Sequence, residues 1–504
     1  MYILASVTKG FTAAALGILV DEGKLQWDDL VSKHVPEFNP TGNPQIAKEA
    51  DFYDLLRHTS GISHPVASWF GPHGTILLKE DDFFDMVNSV PTTSLEDDEQ
   101  YLNNYWIYGS ASYGVAAKAV ERLSGMRYSD FLQERIFGPL GMHRTAVTSA
   151  QVDGDSNIAF PYTKLQNGEW AKLHNEWTNE NNTSIMGSIG LRSSVNDLLI
   201  WSAACMSEER GDTAETRPEL IRHLSNNPLR QMSAIRTGLW TRPPLDNFGN
   251  ESGYCMGWLR AVMPTSQVGW GSFNDKTTYD EEQTILKYLI GTESPKKLML
   301  KHHGINAGSS ACIFNFPETC SAVVVLCNGL TAGDAADFAA QVLIQELFEL
   351  KPHVDLMPRV RLEVERCSSW FYNSLMADWL EHRELVGPEK PRDVLGDYQG
   401  LGITISVRMD ASSERLSAIF NGREDYPFPM EYYAPDTYSF MPTTKDEYMR
   451  GAWIDWDSYE VALLRFQRGG PHETVNSLVW CWDAAFKSTC FWKVSVPNIA
   501  KLNI

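Results

Sequence analysis

Ser6 and Lys9 form a Ser-x-x-Lys pair at the start of an apolar segment, and both residue types can take part in acyl transfer. Residues three apart on a helix share a face, so the two side chains can meet. A hydroxyl is a weak nucleophile and needs a base, although a helix N-terminus favours negative charge on the serine oxygen. An ammonium serves as that base only when desolvation or a neighbouring cation lowers its pKa from about 10.4. Alone, the pair is weak support for catalysis, because both residue types are common.

The apolar pattern predicts the elements that must position this pair. Residues 7–20 predict a buried helix that stops near Gly23, and two further helices are predicted over 113–123 and 131–137. The β-branched run AVVVLCN at 322–328 predicts a short buried strand, and residues 335–350 predict a helix after it.

The composition changes after about residue 350. Residues 368–384 predict a helix and residues 387–391 a linker, and beyond them ITISVRM, SAIFNG, VALLRFQ and SLVWCW alternate like half-exposed strands. We therefore expect a first domain over 1–350, a helix and linker over 351–392, and a β-rich domain over 393–504.

Charge and composition exclude several classes of function. A formal net charge of −21 over 504 residues argues against a nucleic-acid partner, because phosphate binding needs clustered Lys and Arg. The eight cysteines include no Cys-x-x-Cys pair, and no His-Glu-x-x-His motif or phosphate-binding loop occurs, so we expect no metal and no cofactor. No run of about 18 apolar residues predicts a membrane span. We expect a cytoplasmic protein, with three Asn-x-Ser/Thr sequons leaving secretion open, and the oligomeric state stays open too.

The sequence resembles the β-lactamase-related serine hydrolases, a superfamily of class C β-lactamases, penicillin-binding DD-peptidases, esterases and acyltransferases. The similarity keeps one order through ASVTKGFTA at 5–13, DLLRHTSGIS at 54–63, YGSASYGVAAKAVERLSG at 108–125, GSIGLRSSVNDL at 187–198 and HHGINAGSSACIFNFPE at 302–318. The resemblance implies an α/β (α+β) domain with an antiparallel sheet flanked by helices. The tail resembles the barrel-like accessory domain that some members carry.

The resemblance also assigns roles to the first two motifs. Ser6 matches the nucleophile of the family, and Lys9 matches the lysine that helps to deprotonate it. Tyr108 matches the tyrosine of the family's Tyr-x-Asn element, which takes part in proton transfer. Whether Lys9 or Tyr108 is the base stays open.

The third motif of the family matches His302-His303-Gly304. The resemblance places His302 on the substrate side and assigns His303 and Gly304, with Ser110, to substrate binding. It also pairs the backbone amide of Ile305 with that of Ser6 in an oxyanion hole, whose donors stabilise the charge that develops on the carbonyl oxygen.

The chain departs from the family pattern at two places. Ser110 replaces the asparagine of Tyr-x-Asn, and Lys-Thr-Gly is absent, so ester cleavage or acyl transfer is favoured over β-lactam or peptide hydrolysis. The chain also begins almost at the nucleophile, without the helix and strands that precede it in the family. Their loss is expected to leave the strand at 322–328 with an exposed apolar edge.

The predicted function is serine-dependent hydrolysis or acyl transfer, through an acyl-enzyme at Ser6, on an ester or thioester of a small molecule such as a natural product. The partners would be that acyl donor and, for transfer, an alcohol acceptor. The alternative from another class is a catalytically silent binding or sensing protein on the same fold. Structural interpretations also exist: Tyr108 as a core aromatic, the histidine pair as a turn, Trp258 as a packing residue, and 57–61 as a turn without chemistry.

Overall fold

The structure is a computed structural model that describes residues 1–63, 69–94, 99–174, 176–179, 181–224, 226–238, 240–242, 246–276, 286–330, 332–384, 391–409, 415–452, 458–470, 474–483 and 486–494. Residues 387–390 of the predicted linker and the last ten residues of the chain lie outside the described residues.

The first part of the chain contains a long run of helices and then most of its strands. The helices are α1 Thr8–Asp21, α2 Val31–His34, α3 Ile46–Glu49, α4 Phe52–Arg57, α5 Phe83–Ser89, α6 Ser110–Ser124, α7 Tyr128–Leu132, α8 Gly138–Leu140, α9 Thr183–Ile189, α10 Val195–Arg210, α11 Met232–Thr237 and α12 Ala335–Phe348. The strands are β1 Tyr2–Ile3, β2 Tyr162–Lys164, β3 Trp170–Lys172, β4 Arg192–Ser193, β5 Trp240–Thr241, β6 Ser252–Tyr254, β7 Leu259–Met263, β8 Lys297–Asn306, β9 Ser309–Phe316 and β10 Ser321–Cys327.

The second part begins with helices and continues as strands. Helix α13 Met357–Trp370 leads through a π-helical turn at Phe371–Leu375 into α14 Met376–Glu381, and α15 Lys445–Gly451 lies between later strands. The strands are β11 Gly396–Gly400, β12 Ile403–Met409, β13 Leu416–Phe420, β14 Phe428–Ala434, β15 Thr437–Ser439, β16 Leu463–Gly469, β17 Thr474–Trp480 and β18 Thr489–Lys493. The predicted helix at 368–384 therefore starts earlier, at Met357, and is interrupted by the π-helical turn.

The central sheet of the first domain is antiparallel and has the order β10-β9-β8-β7-β6-β5. Helix α1 is buried from Thr8 to Leu19, and its Phe11 stacks on Trp201 of α10 at 3.9 Å between ring centroids. A helix that is apolar all round belongs in the core, so α1 holds its N-terminal turn rigidly against the sheet.

Strand β10 lies at the edge of this sheet, paired with β9. Only Val323 of β10 is buried, against Ala336, Ala340 and Ile344 of α12. The sequence predicted a buried strand here. The β-branched run predicts the strand correctly, but its burial depends on neighbours that the run itself cannot encode.

The eight strands β11 to β18 form a closed antiparallel barrel, in which β11 pairs with both β12 and β18. Closure leaves no free strand edge. The barrel contacts the first domain: Asn421 Nδ2 donates to the Leu77 carbonyl at 2.6 Å, and Arg423 pairs with Glu176 at 3.0 Å. An antiparallel sheet with flanking helices, followed by a β-rich domain, confirms the predicted fold class.

Within the described residues, no helix combines the length and apolar character needed to cross a membrane.

Candidate active site

The segment that carries Ser6 makes a sharp turn before α1. Ala5 has φ 43°, in the left-handed region that alanine rarely adopts, and Ala5–Val7 forms a 3₁₀ turn. The Leu4 amide donates to the Leu191 carbonyl at 2.9 Å, which fixes the start of this turn to the strand pair β1–β4. Ser6 is partly exposed while Lys9, one helical turn later, is fully buried. A substrate can therefore reach the hydroxyl but not the amine.

The side chain of Lys9 meets that of Ser6, as the helical spacing predicts. Its Nζ lies 3.0 Å from Ser6 Oγ and 3.3 Å from Ser110 Oγ, and 3.4 Å from the Ser188 carbonyl. None of these partners is a carboxylate, so nothing among them favours the ammonium form strongly. Burial lowers the pKa of Lys9 from 10.5 to about 7. A large share of Lys9 is then a neutral amine at neutral pH, as a general base requires.

Tyr108 lies on the other side of the nucleophile. Its hydroxyl shares a hydrogen bond with Ser6, and Lys9 Nζ lies 4.8 Å from the centre of its ring. Burial raises the pKa of Tyr108 above its ordinary value, more than the bond with Ser6 lowers it. The phenol is therefore neutral near pH 7 and suited to donate a proton rather than to accept one.

Strand β8 approaches the nucleophile turn at Gly304. A Cβ on Gly304 would lie 1.9 Å from the Leu4 carbonyl oxygen and 3.2 Å from the Ser6 nitrogen. Only glycine permits this approach, which puts the next residue, Ile305, beside the Ser6 backbone. On the far side, a Cβ on Gly257 would lie 2.8 Å from the Lys9 carbonyl oxygen.

His302 of β8 points toward the same group of side chains. Its Nδ1 lies 2.6 Å from the His303 carbonyl, which can only accept, so Nδ1 carries the ring proton. Its Nε2 then accepts from the Tyr254 hydroxyl at 3.1 Å. Burial first, and then the charge of Lys9, hold the pKa of His302 well below its ordinary value, so the ring is neutral. The tyrosine that His302 contacts is Tyr254, whereas the ring of Tyr108 lies 6.3 Å away.

The structure does not bring His303 to the site. Successive strand residues point to opposite faces, so His303 lies behind the sheet, 3.2 Å from Asp337 of α12 with both side chains fully buried. Lys301, on the same face, lies 3.4 Å from His303 and donates to the carbonyls of Val268 and Trp270. We therefore leave His303 out of the proposed site and treat this cluster as a support for β8.

Two neighbours of the site, His58 and Tyr254, escaped the sequence analysis. His58 accepts from the Gly109 amide at 3.2 Å, and its ring lies 4.6 Å from that of Tyr108 and 4.8 Å from that of Tyr254. His58 thereby positions the turn that carries Tyr108, a structural contact in the stretch 57–61 that was expected to be a turn without chemistry. Trp258, in contrast, packs against Gly10 as expected.

A family model described as beta-lactamase matches residues 1–346. The chain belongs to the beta-lactamase family. This confirms the resemblance of the sequence to β-lactamase-related serine hydrolases.

Several known proteins are similar to this chain. Penicillin-binding protein 4* of Bacillus subtilis is 27% identical over 217 residues, 42% of this chain and 46% of that protein. Unguisins hydrolase ungD of Aspergillus violaceofuscus is 24% identical over 379 residues, 73% of this chain and 61% of that protein. The chain thus spans about half to three fifths of the length of these curated relatives. The octameric penicillin-binding protein homologue of Pyrococcus abyssi is 20% identical with a TM-score of 0.46, covering 97% of this chain and 88% of that one.

The described residues of this beta-lactamase family member contain no group of three or more His, Cys, Asp or Glu side chains that could hold a metal ion. The side chains gathered at the site are instead those of Ser6, Lys9, Tyr108, Ser110 and His302. Together they offer a nucleophile, a base, a proton donor and neutral polar groups.

Proposed function

We propose that the protein is a serine hydrolase or acyltransferase that forms an acyl-enzyme at Ser6 from an ester or thioester of a small molecule. The observation that carries this proposal is the contact of Ser6 Oγ with Lys9 Nζ at 3.0 Å, combined with the pKa of about 7 that burial gives Lys9. A nucleophile within hydrogen-bond reach of a base whose pKa matches the working pH is the arrangement that nucleophilic catalysis needs.

The first half-reaction follows from these contacts. The neutral amine of Lys9 accepts the proton of Ser6 as Oγ attacks the carbonyl carbon, and the carbonyl oxygen gains the negative charge. The amides of Ser6 and Ile305 stabilise that oxyanion. The bond to the leaving oxygen or sulfur then breaks, Tyr108 donates its proton to the leaving group, and Lys9 returns a proton to the phenolate.

The second half-reaction releases the acyl group. Water, or the hydroxyl of an alcohol acceptor, attacks the acyl-enzyme and gives its proton to the neutral amine of Lys9. The bond between Ser6 Oγ and the acyl carbon breaks, and Lys9 returns the proton to Oγ. Hydrolysis and transfer share every residue and differ only in the attacking hydroxyl.

Preference for an ester or thioester rests on Ser110. Its hydroxyl lies 3.3 Å from Lys9, so it serves the base and is too short to reach across to a substrate amide as an asparagine would. The relative from Aspergillus violaceofuscus is named as a hydrolase of unguisins, which supports a hydrolytic reaction. Ser6, Lys9, Tyr108 and Ser110 form one set of contacts, so we favour catalysis over a silent binding protein.

The test is release of p-nitrophenol from p-nitrophenyl butyrate, with and without a primary alcohol as acceptor. We expect release by the parent and none by Ser6→Ala. Butyrate alone as the product identifies a hydrolase, and a butyryl ester of the alcohol identifies an acyltransferase. Equal release by the parent and Ser6→Ala contradicts the proposal.

A further inference from the structure

A cavity of about 140 Å³ lies between the first domain and α15 of the barrel domain. Its walls are largely apolar and aromatic, with Leu173, Leu330, Trp370, Phe371 and Tyr448 among them. A cavity of about 150 Å³ with apolar walls holds a benzene molecule in another protein, so this one has room for a single aromatic ring.

Two cationic side chains, Arg366 and Lys445, also line this cavity. Arg366 Nε pairs with Glu363 at 2.8 Å, while its Nη2 is buried without a hydrogen-bond partner. A buried donor without a partner is unfavourable, more so when it is charged, and few native groups are left without one. An acceptor inside the cavity would remove this cost.

Lys445 adds a second set of donors. Its Nζ donates to the carbonyls of Cys367 at 3.2 Å and Ser368 at 3.0 Å, which uses two of its three protons. Asp446 beside it accepts from the Gln166 amide and is not among the residues of the cavity wall. Arg366 and Lys445 are therefore the charged side chains of the wall, and the carboxylates that act on them, those of Glu363 and Asp446, are not part of it.

We propose that this cavity binds a monocarboxylate that carries one aromatic ring. The ring fits among the aromatic walls, and the carboxylate accepts from the guanidinium of Arg366 and from the remaining proton of Lys445 Nζ. Charge-assisted bonds of this kind are the strong ones in proteins, and a single negative charge matches the excess positive charge of the wall.

The cavity begins close to the proposed oxyanion site. Ala307 lines it and lies two residues after Ile305, which is about 7 Å at the spacing of a strand. The aromatic carboxylate is therefore either a free ligand or the distal end of a substrate that reaches Ser6. Binding itself does not need the chemistry of Ser6, so it can be tested independently of the proposed function.

The probe is 3-(4-fluorophenyl)propionate, followed by ¹⁹F NMR titration of the full chain, with 3-(4-fluorophenyl)propan-1-ol as the uncharged control. We expect the acid to bind at least about tenfold more tightly than the alcohol, as for hydrogen bonds to charged groups. Arg366→Gln and Lys445→Met should each lower the affinity for the acid by about tenfold and leave the affinity for the alcohol unchanged. Exposed residues outside the cavity wall provide the controls, and Arg361→Gln on α13 and Lys296→Met should bind like the parent.

Equal affinity for acid and alcohol, or acid binding unchanged in both cavity variants with unaltered thermal unfolding, overturns the proposal. Ser6→Ala should bind the acid like the parent, so loss of catalysis and loss of this site are separate results. Competitive inhibition of p-nitrophenyl butyrate release by the acid, relieved in Lys445→Met, identifies the distal end of a substrate. Binding without inhibition identifies a free ligand.

Discussion

The pKa of Lys9 predicts how acylation of Ser6 depends on pH. With a pKa of about 7, half of the Lys9 side chains carry a neutral amine at pH 7. For a lysine with the ordinary pKa of 10.5, the neutral fraction would be on the order of 10³-fold smaller. For each pH unit below the pKa, the fraction of neutral amine falls about tenfold. The acylation rate should therefore rise about tenfold per unit from pH 5 to pH 7 and level off above it.

The assay is stopped-flow release of p-nitrophenol in a single turnover, from pH 5 to pH 9, with circular dichroism to confirm the fold at each pH. Burial raises the pKa of Tyr108, so a tyrosinate base would give a rate that still rises at pH 9. The pKa of His302 is held well below its ordinary value by burial and by the charge of Lys9, so we expect His302 to add no step near pH 7. A rate that is flat from pH 5 to 7, or that keeps rising through pH 9, refutes Lys9 as the base.

Three further substitutions test the geometry around this base. Gly304→Ala should lower the acylation rate by about 10²-fold or more, because its Cβ would lie 1.9 Å from the Leu4 carbonyl oxygen and displace β8. The control is Gly451→Ala, which has open space around it and should acylate at the rate of the parent. Tyr108→Phe should slow hydrolysis on the order of 10²-fold with little change in thermal unfolding, and a parent-like rate would exclude it as the proton donor. Asp337→Ala should lower the free energy of unfolding by about 3 to 5 kcal/mol, because it leaves the buried side chain of His303 without its partner. A denaturant titration that shows no loss of stability would contradict this.

The same carboxylate gives the parent a pH dependence of stability. Burial acts to raise the pKa of Asp337, but hydrogen bonds from His303 and Asn274 lower it from 3.8 to about 2. A carboxyl group whose pKa is lower in the folded than in the unfolded protein stabilises the fold at pH values above its unfolded pKa. The contribution of Asp337 to stability is therefore complete above about pH 4 and is lost as the pH falls toward 2. Denaturant titrations of Asp337→Ala should accordingly show a shallower dependence over that range than those of the parent.

The parts of the site that are local in sequence could be predicted from it. The contact of Ser6 with Lys9 follows from helical spacing, and α6 ends at Gly125 as the pattern predicts, with φ 73° there. The apolar run after Lys9 indicates the burial that lowers its pKa. Each of these features depends on residues within a few positions of one another.

Features that depend on distant pairings were beyond the sequence alone. The bond between Tyr254 and His302 joins β6 to β8, and neither residue type nor spacing indicates it. Likewise, closure of the barrel depends on the pairing of β11 with β18, whereas the edge position of β10 was expected from the family resemblance. The alternation of side chains along β8, in contrast, could have separated His302 from His303.

The measurement that tests the central claim most directly is intact-protein mass spectrometry after brief mixing with p-nitrophenyl butyrate, followed by peptide mapping. The account predicts one butyryl group on the parent, located at Ser6, and none on Ser6→Ala. A folded parent that gains no butyryl group, or one that carries it on another residue, would contradict the account.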